Sequence, residues 1–134
     1  SDNHLLLIEK FDLLSGSDEL SDMPEDIMIE VAEAFQEHTF LAGETLDLNK
    51  NQNEYSLFLL VQGAIQLEGD NIQVEGETNH LYYSSIFNNA GVTRIKFTAD
   101  SLILVIDSEA IETLLFLRRI NPVSGKPTTR ACGI

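Results

Sequence analysis

A mainly β fold, a rolled antiparallel sheet of jelly-roll or double-stranded β-helix type flanked by N-terminal helices and one C-terminal helix, is what the 134-residue sequence predicts. Three observations carry that expectation. In Leu57-Phe58-Leu59-Leu60-Val61 both alternating sets of side chains are apolar, the pattern of a strand buried on both faces. Gly43 and Gly63 each interrupt a strand pattern, which marks a sharp bend or a place of close backbone approach. Short strand-like segments then follow one another at turn spacing, with helical periodicity confined to the ends of the chain. Rolling or closing such strands hides their edges.

Residues 3–14 read as a short helix, with Asp2 or Asn3 as cap and Ser15-Gly16 as its end. It is apolar nearly all round, so it packs beneath the domain or faces a further partner. A polar, acidic connector over residues 17–23 leads to Pro24, which opens a second helix. Glu25 and Asp26 fall in its first turn, where the helix dipole favours negative charge. Ile27, Val31, Ala34 and Phe35 form its expected apolar stripe, with Glu30, Glu33 and Glu37 toward water. Strands are expected over 39–41 and 45–48, on either side of a turn at Gly43, then over 57–61. Beyond Gly63, apolar Ile65 and Leu67 alternate with Gln66 and Glu68.

Glu68-Gly69-Asp70-Asn71 is turn chemistry, and Ile72 and Val74 alternate with polar neighbours, so a hairpin is expected. A short strand over 81–83 precedes a polar stretch, 84–91. Ile95, Phe97 and Ala99 then alternate with polar residues. A tight turn at Asp100-Ser101 leads to an apolar strand, 102–106. Asp107 or Ser108 caps a last helix with Ala110, Ile111, Leu114 and Leu115 on one face and Arg118 and Arg119 at its C-terminal end. Pro122 stops it. This divides the chain into an N-terminal helix with its acidic connector (1–22), the roll with its flanking helices (23–120) and a loose tail (121–134).

Composition narrows the function classes. The net charge of −14 disfavours nucleic acid and anionic membrane surfaces as partners. Half of the acids precede His38, where Lys10 is the only base, whereas Arg118, Arg119, Lys126 and Arg130 follow Leu117 with no acid. That asymmetry reads as a solvated acidic helical face or as a docking surface for a basic partner. No apolar run approaches the roughly 20 residues of a membrane-spanning helix, and no basic stretch leads an apolar core at the start. The single cysteine, Cys132, points to a reducing compartment, and the expected location is the cytoplasm.

Catalytic constellations are scarce. His4, His38 and His80 lack the spacing of metal ligands, and no nucleophile elbow, phosphate loop or dinucleotide fingerprint occurs. No cofactor, no metal and no enzymatic activity are expected.

Phe40, Ala42-Gly43-Glu44, Leu46, the aliphatic run 57–61, Gly63 and Ile65 together resemble the first half of cyclic-nucleotide-binding domains, and the order of elements extends the resemblance over residues 5–117. The resemblance implies a β-roll with its ligand inside. It also implies a short helical turn offering N–H groups to the cyclic phosphate, a Glu for the ribose hydroxyl and an Arg for the phosphate. By that resemblance the cassette falls on residues 83–94. Its Gly and Glu land on Ser84 and Ser85, and its Arg lands near Val92 or Thr93, so Arg94 comes one or two positions late. On an alternating strand such an offset turns a side chain to the opposite face.

Tyr83, Ser84, Ser85, Asn88 and Arg94 are therefore the candidate ligand-binding residues, for a cyclic nucleotide or another small anion. Against this stands a plain surface turn at 84–89 with Arg94 in solvent. The interior of the roll is either open or plugged by side chains such as Tyr82, Tyr83, Ile86 and Phe87. The function expected is a non-catalytic regulatory or protein-interaction module that has lost cyclic nucleotide binding. The alternative is a working small-ligand sensor. Its partner would be a protein or a covalently linked neighbouring domain.

Overall fold

In the structure, a computed structural model that describes residues 5–51 and 53–118, helices α1 (Leu7–Ser15) and α2 (Glu25–Ala34) lead into strands β1 (Gln36–Phe40), β2 (Thr45–Asp47), β3 (Leu57–Gln62), β4 (Ile65–Glu68), β5 (Gln73–Glu75) and β6 (Leu81–Tyr83). Helix α3 (Ser84–Ala90), β7 (Arg94–Phe97), β8 (Ser101–Ile106) and α4 (Ser108–Arg118) follow. The strands form two antiparallel sheets of four, ordered β1-β8-β3-β6 and β2-β7-β4-β5. The chain changes sheet at every step from β1 to β8 except between β4 and β5, so the strands wind as a roll. The 121–134 tail and the Asp2 or Asn3 cap lie outside the described residues.

Both predicted glycine bends sit at such changes of sheet. Gly43 has φ +95° and Gly63 φ +107°, left-handed backbone that glycine adopts without a Cβ clash. At Gly63 a Cβ would lie 2.2 Å from Ser101 Oγ and 2.7 Å from the Asp100 carbonyl oxygen, so the β3–β4 corner is closed by backbone contact.

Two cores result. The inner one lies between the sheets and joins Phe58, Leu60, Tyr82, Ile103 and Val105 to Leu46, Ile65, Leu67, Ile95 and Phe97. The outer one lies under the helices, where Leu57, Leu59, Leu81, Leu104 and Ile106 meet Leu14, Leu20, Met28, Val31, Ala32 and Phe35. Strand β3 thus contributes to both, as its doubly apolar sequence predicts. The layers are helices, inner sheet and outer sheet. The far face of the outer sheet is polar: Asp47, Arg94, Glu68 and Gln73 form one cross-strand row and Thr45, Lys96, Gln66 and Glu75 the next.

The helical layer departs from expectation in detail. Helix α2 buries Met28, Val31, Ala32 and Phe35, the i, i+3, i+4, i+7 series, and leaves Ile27 and Ala34 at its flank. The stripe is rotated by about one position because Met28 and the small Ala32 face the neighbouring layer. Strand β1 starts at Gln36, earlier than the strand pattern suggests, because Phe35 already has extended backbone. Lys10 Nζ donates to the Phe35 carbonyl oxygen (2.9 Å), placing a cation at the C-terminal end of α2. The predicted cap of the last helix is present, Asp107 Oδ1 accepting from the Ala110 N–H at 2.7 Å.

Candidate functional site

The residues singled out in the sequence surround the β6–α3–β7 connection. Strand β6 alternates strictly: Leu81 faces the helices, Tyr82 the interior of the roll and Tyr83 the helices again. Ser84 follows, buried, and its N–H donates to the Ser56 carbonyl oxygen (3.0 Å). The polar stretch is then helical rather than an irregular turn. The Val92 N–H bonds back to the Phe87 carbonyl oxygen (2.9 Å) where α3 ends. Thr93 ties the connection to both neighbouring strands, its N–H donating to Glu68 and its carbonyl oxygen accepting from Leu48.

Phe87 lies three residues after Ser84, so the α3 turn points its ring inward. It joins Phe58 and Tyr82 in a three-ring cluster, with centroid separations of 5.8 Å (Phe58–Phe87), 5.3 Å (Tyr82–Phe87) and 5.4 Å (Phe58–Tyr82). Such offset ring contacts add specific attraction to the burial of their area. Farther along the interior, Phe40 stacks on Phe97 at 4.0 Å, and His38 Nδ1 and Tyr55 Oη share a hydrogen bond of 2.7 Å. The interior beside α3 is occupied by aromatic rings.

Tyr82 and Phe87 therefore fill the roll, whereas Tyr83 does not; the Ile86 side chain lies outside the described ones. Tyr82 Oη accepts a hydrogen bond from the Glu77 N–H (2.7 Å), and burial is the main cause raising its hydroxyl above the ordinary value. Tyr83 is pushed up to about 12, first by burial and then by the Glu19 carboxylate. Tyr55 is also pushed up to about 12, by burial and then by Glu54.

Arg94 stands apart. It opens β7, where Ile95 and Phe97 face the interior and Arg94 and Lys96 face outward. Its Nε donates to Glu68 Oε1 at 3.0 Å on the polar face of the outer sheet. Its guanidinium and the three-ring cluster thus lie on opposite faces of that sheet. Ser85 and Asn88 are placed as backbone positions of α3. Of the five candidates, Tyr83 and Ser84 are brought together at the β6–α3 junction, and Arg94 is not joined to them.

Among the described residues, no group of three His, Cys, Asp or Glu side chains could hold a metal ion, and no helix is long and apolar enough to cross a membrane. A cavity of about 110 Å³ lies between β1 and the start of α4, with His38, Glu54, Val105 and Asp107 in its lining. It does not include the α3 connection. Sequence reasoning missed Phe58 as a member of the ring cluster and the His38–Tyr55 hydrogen bond. The first was legible as an alternate position of β3. The second joins residues seventeen apart, and no local pattern signals it.

No family model matches the sequence, and no curated protein matches it. Solved structures do. The chain is similar to the regulatory subunit of a cAMP-independent protein kinase A from Trypanosoma cruzi bound to guanosine, with 18% identity and a TM-score of 0.61 over 89% of this chain and 44% of that one. It is similar to the regulatory domain of Toxoplasma gondii PKA with cAMP, with 11% identity and a TM-score of 0.63 over 81% and 45%. A cAMP-bound PfPKA-R matches at 19% identity and a TM-score of 0.62 over 84% and 44%. This chain spans less than half the length of each. At these identities the likeness is one of fold. The architecture is the cyclic-nucleotide-binding-like β-roll that the sequence resemblance implied.

Proposed function

We propose that this chain is a non-catalytic regulatory module that acts through protein contacts, built on a cyclic-nucleotide-binding-like roll that has lost cyclic nucleotide binding. One observation carries the reading. The place between β6 and β7 where such a ligand would rest is filled by Phe87 against Phe58 and Tyr82. The nearby guanidinium, Arg94, pairs with Glu68 on the other side of the sheet. A cyclic phosphate needs donors and a cation facing it. The N–H of Ser84 is already given to Ser56, and no carboxylate stands at Ser85 to take a ribose hydroxyl. In this reading the module works in the cytoplasm, beside a partner protein or a covalently linked domain.

The second reading, a sensor binding a cyclic nucleotide or other small anion near residues 84–94, draws support from the cAMP bound to the Toxoplasma gondii and PfPKA-R domains. The guanosine bound by the Trypanosoma cruzi subunit adds a ligand without a phosphate to the test. Titration calorimetry with cyclic AMP, cyclic GMP and guanosine separates the two readings. The expected result is no saturable heat at micromolar ligand. Saturable heat that disappears in Arg94→Ala would establish the sensor instead. Binding by Phe87→Ala but not by the native chain would show that the ring itself closes the pocket.

A further inference from the structure

The charge asymmetry of the sequence acquires a location in the fold, and exposed apolar side chains share it. Among the described residues six large apolar side chains are exposed, and four of them, Leu6, Leu7, Ile8 and Ile29, belong to α1, its N-terminal cap or α2. The other two, Leu41 and Val74, stand singly at the sheets, where isolated exposure is ordinary. Leu6 at 66% and Ile8 at 61% leave the start of α1 bare on its outer side. Two polar contacts hold the helix in that position. The Leu5 N–H donates to a Glu37 carboxylate oxygen, and Lys10 Nζ donates to the Phe35 carbonyl oxygen at 2.9 Å. Both tie the first half of α1 to the C-terminal end of α2, so the two helices pack antiparallel.

The charge on this pair of helices selects what can cover it. Glu9 and Asp12 on α1 and Glu25, Asp26 and Glu33 on α2 are all exposed. Lys10, the only base in either helix, is held by the Phe35 carbonyl oxygen. A second copy of the chain would bring the same carboxylates against it, and juxtaposed like charges oppose association. An anionic membrane surface is repelled for the same reason. A partner with an apolar stripe flanked by Lys or Arg satisfies both halves of the surface: its apolar side chains cover Leu6, Ile8 and Ile29, and its cations meet the carboxylates around them. A helix presents such a stripe at i, i+3, i+4 and i+7, and packs along other helices ridge into groove.

We propose that the outer face of α1 and α2 is the docking site for a basic amphipathic helix of a partner protein. The inference rests on the reading of this chain as a module that acts through protein contacts, and gives that reading a surface and a partner class. The nine residues of α1 rise about 13 Å along its axis, so a partner helix of about three turns matches its length.

The test uses the full chain and three synthetic peptides: one helical with a leucine stripe flanked by lysine, one of the same composition with the stripe scrambled, and one with glutamate in place of lysine. In ¹⁵N spectra the striped basic peptide is expected to shift the amides of Ile8, Asp12, Ile29 and Glu33, while those of β4 and β7 on the far sheet stay in place. Affinity is expected to fall by about tenfold or more with the scrambled peptide, and equally in the double variant Ile8→Ser, Ile29→Ser, whose undisturbed far-sheet peaks attest the fold. The glutamate peptide does not bind. Equal affinity for the scrambled peptide, or shifts spread over the acidic surface at large, overturns the proposal, since charge alone then accounts for the attraction. No binding of the striped peptide, or shifts confined to another face, also overturns it and leaves the protein-contact reading standing; the calorimetry with cyclic nucleotides is what removes that reading. Two other occupants are decided before peptide is added. Concentration-dependent shifts on this face mean that a second copy covers it, and shifts there caused by Arg119→Glu, Lys126→Glu, Arg130→Glu mean that the chain's own basic residues do. Either result overturns the proposal.

Discussion

Gly63 carries two separate demands, a left-handed φ of +107° and room for no Cβ beside Ser101 and Asp100. Gly43 shares the first (φ +95°) but has nothing within 4 Å of the position of a Cβ. The two therefore separate backbone strain from steric overlap. Gly43→Ala is expected to cost roughly 1–2 kcal/mol, the left-handed penalty alone. Gly63→Ala adds overpacking and is expected to cost about 2–4 kcal/mol. Urea unfolding at constant m-value gives both numbers; equal losses at the two sites would refute the close approach at the β3–β4 corner. Both bends were legible because glycine in a strand pattern has few other uses. Phe87 was legible only as one of several side chains able to plug the roll, because the docking of α3, and not its sequence, selects which residue points inward.

Among the elements, α4 shows how local chemistry sets a boundary. Asp107 precedes the helix, and its carboxylate accepts from the Ala110 N–H, one of the donors left unpaired at a helix start. Asp107→Ala is expected to lower stability by about 1 kcal/mol and to speed hydrogen exchange at Ala110, whereas Asp107→Asn retains most of the cap. A normal exchange rate in the alanine variant would show that packing alone sets the start of α4. Strand β3 was equally legible, since its two apolar faces serve two cores. Helix α3 was not. Ser84, Ser85, Asn88 and Asn89 favour turns and caps over helix interiors, and it is the span between β6 and β7, pinned by the Ser84 and Thr93 backbone bonds and by the buried Phe87, that makes these residues helical.

At the scale of the whole molecule, the three layers bury Tyr55 and Tyr82 between the sheets and half-bury Tyr83 under the helices. All three hydroxyls are raised above the ordinary value of 10.0, Tyr55 and Tyr83 to about 12. The folded chain thus keeps protons that the unfolded chain releases near pH 10. Stability is unaffected by these groups below pH 10 and falls as pH rises from 10 toward 12. Tyrosinate absorbance is accordingly expected to stay flat through pH 10 and to rise together with loss of secondary structure, and Tyr83→Phe lessens the alkaline loss. A simple titration near pH 10 in a chain that remains folded would contradict the burial of these rings.

The sequence by itself determined the order of the strands and of the flanking helices, the bends at Gly43 and Gly63, the doubly buried strand and the outward parity of Arg94. Each of these is a property of neighbours along the chain: alternation, glycine geometry and capping. The tertiary structure alone decided which strands share a sheet, that Phe58, Tyr82 and Phe87 converge, and that Arg94 meets Glu68. Those contacts join residues far apart in sequence, and they exist only once the roll has brought its two sheets face to face.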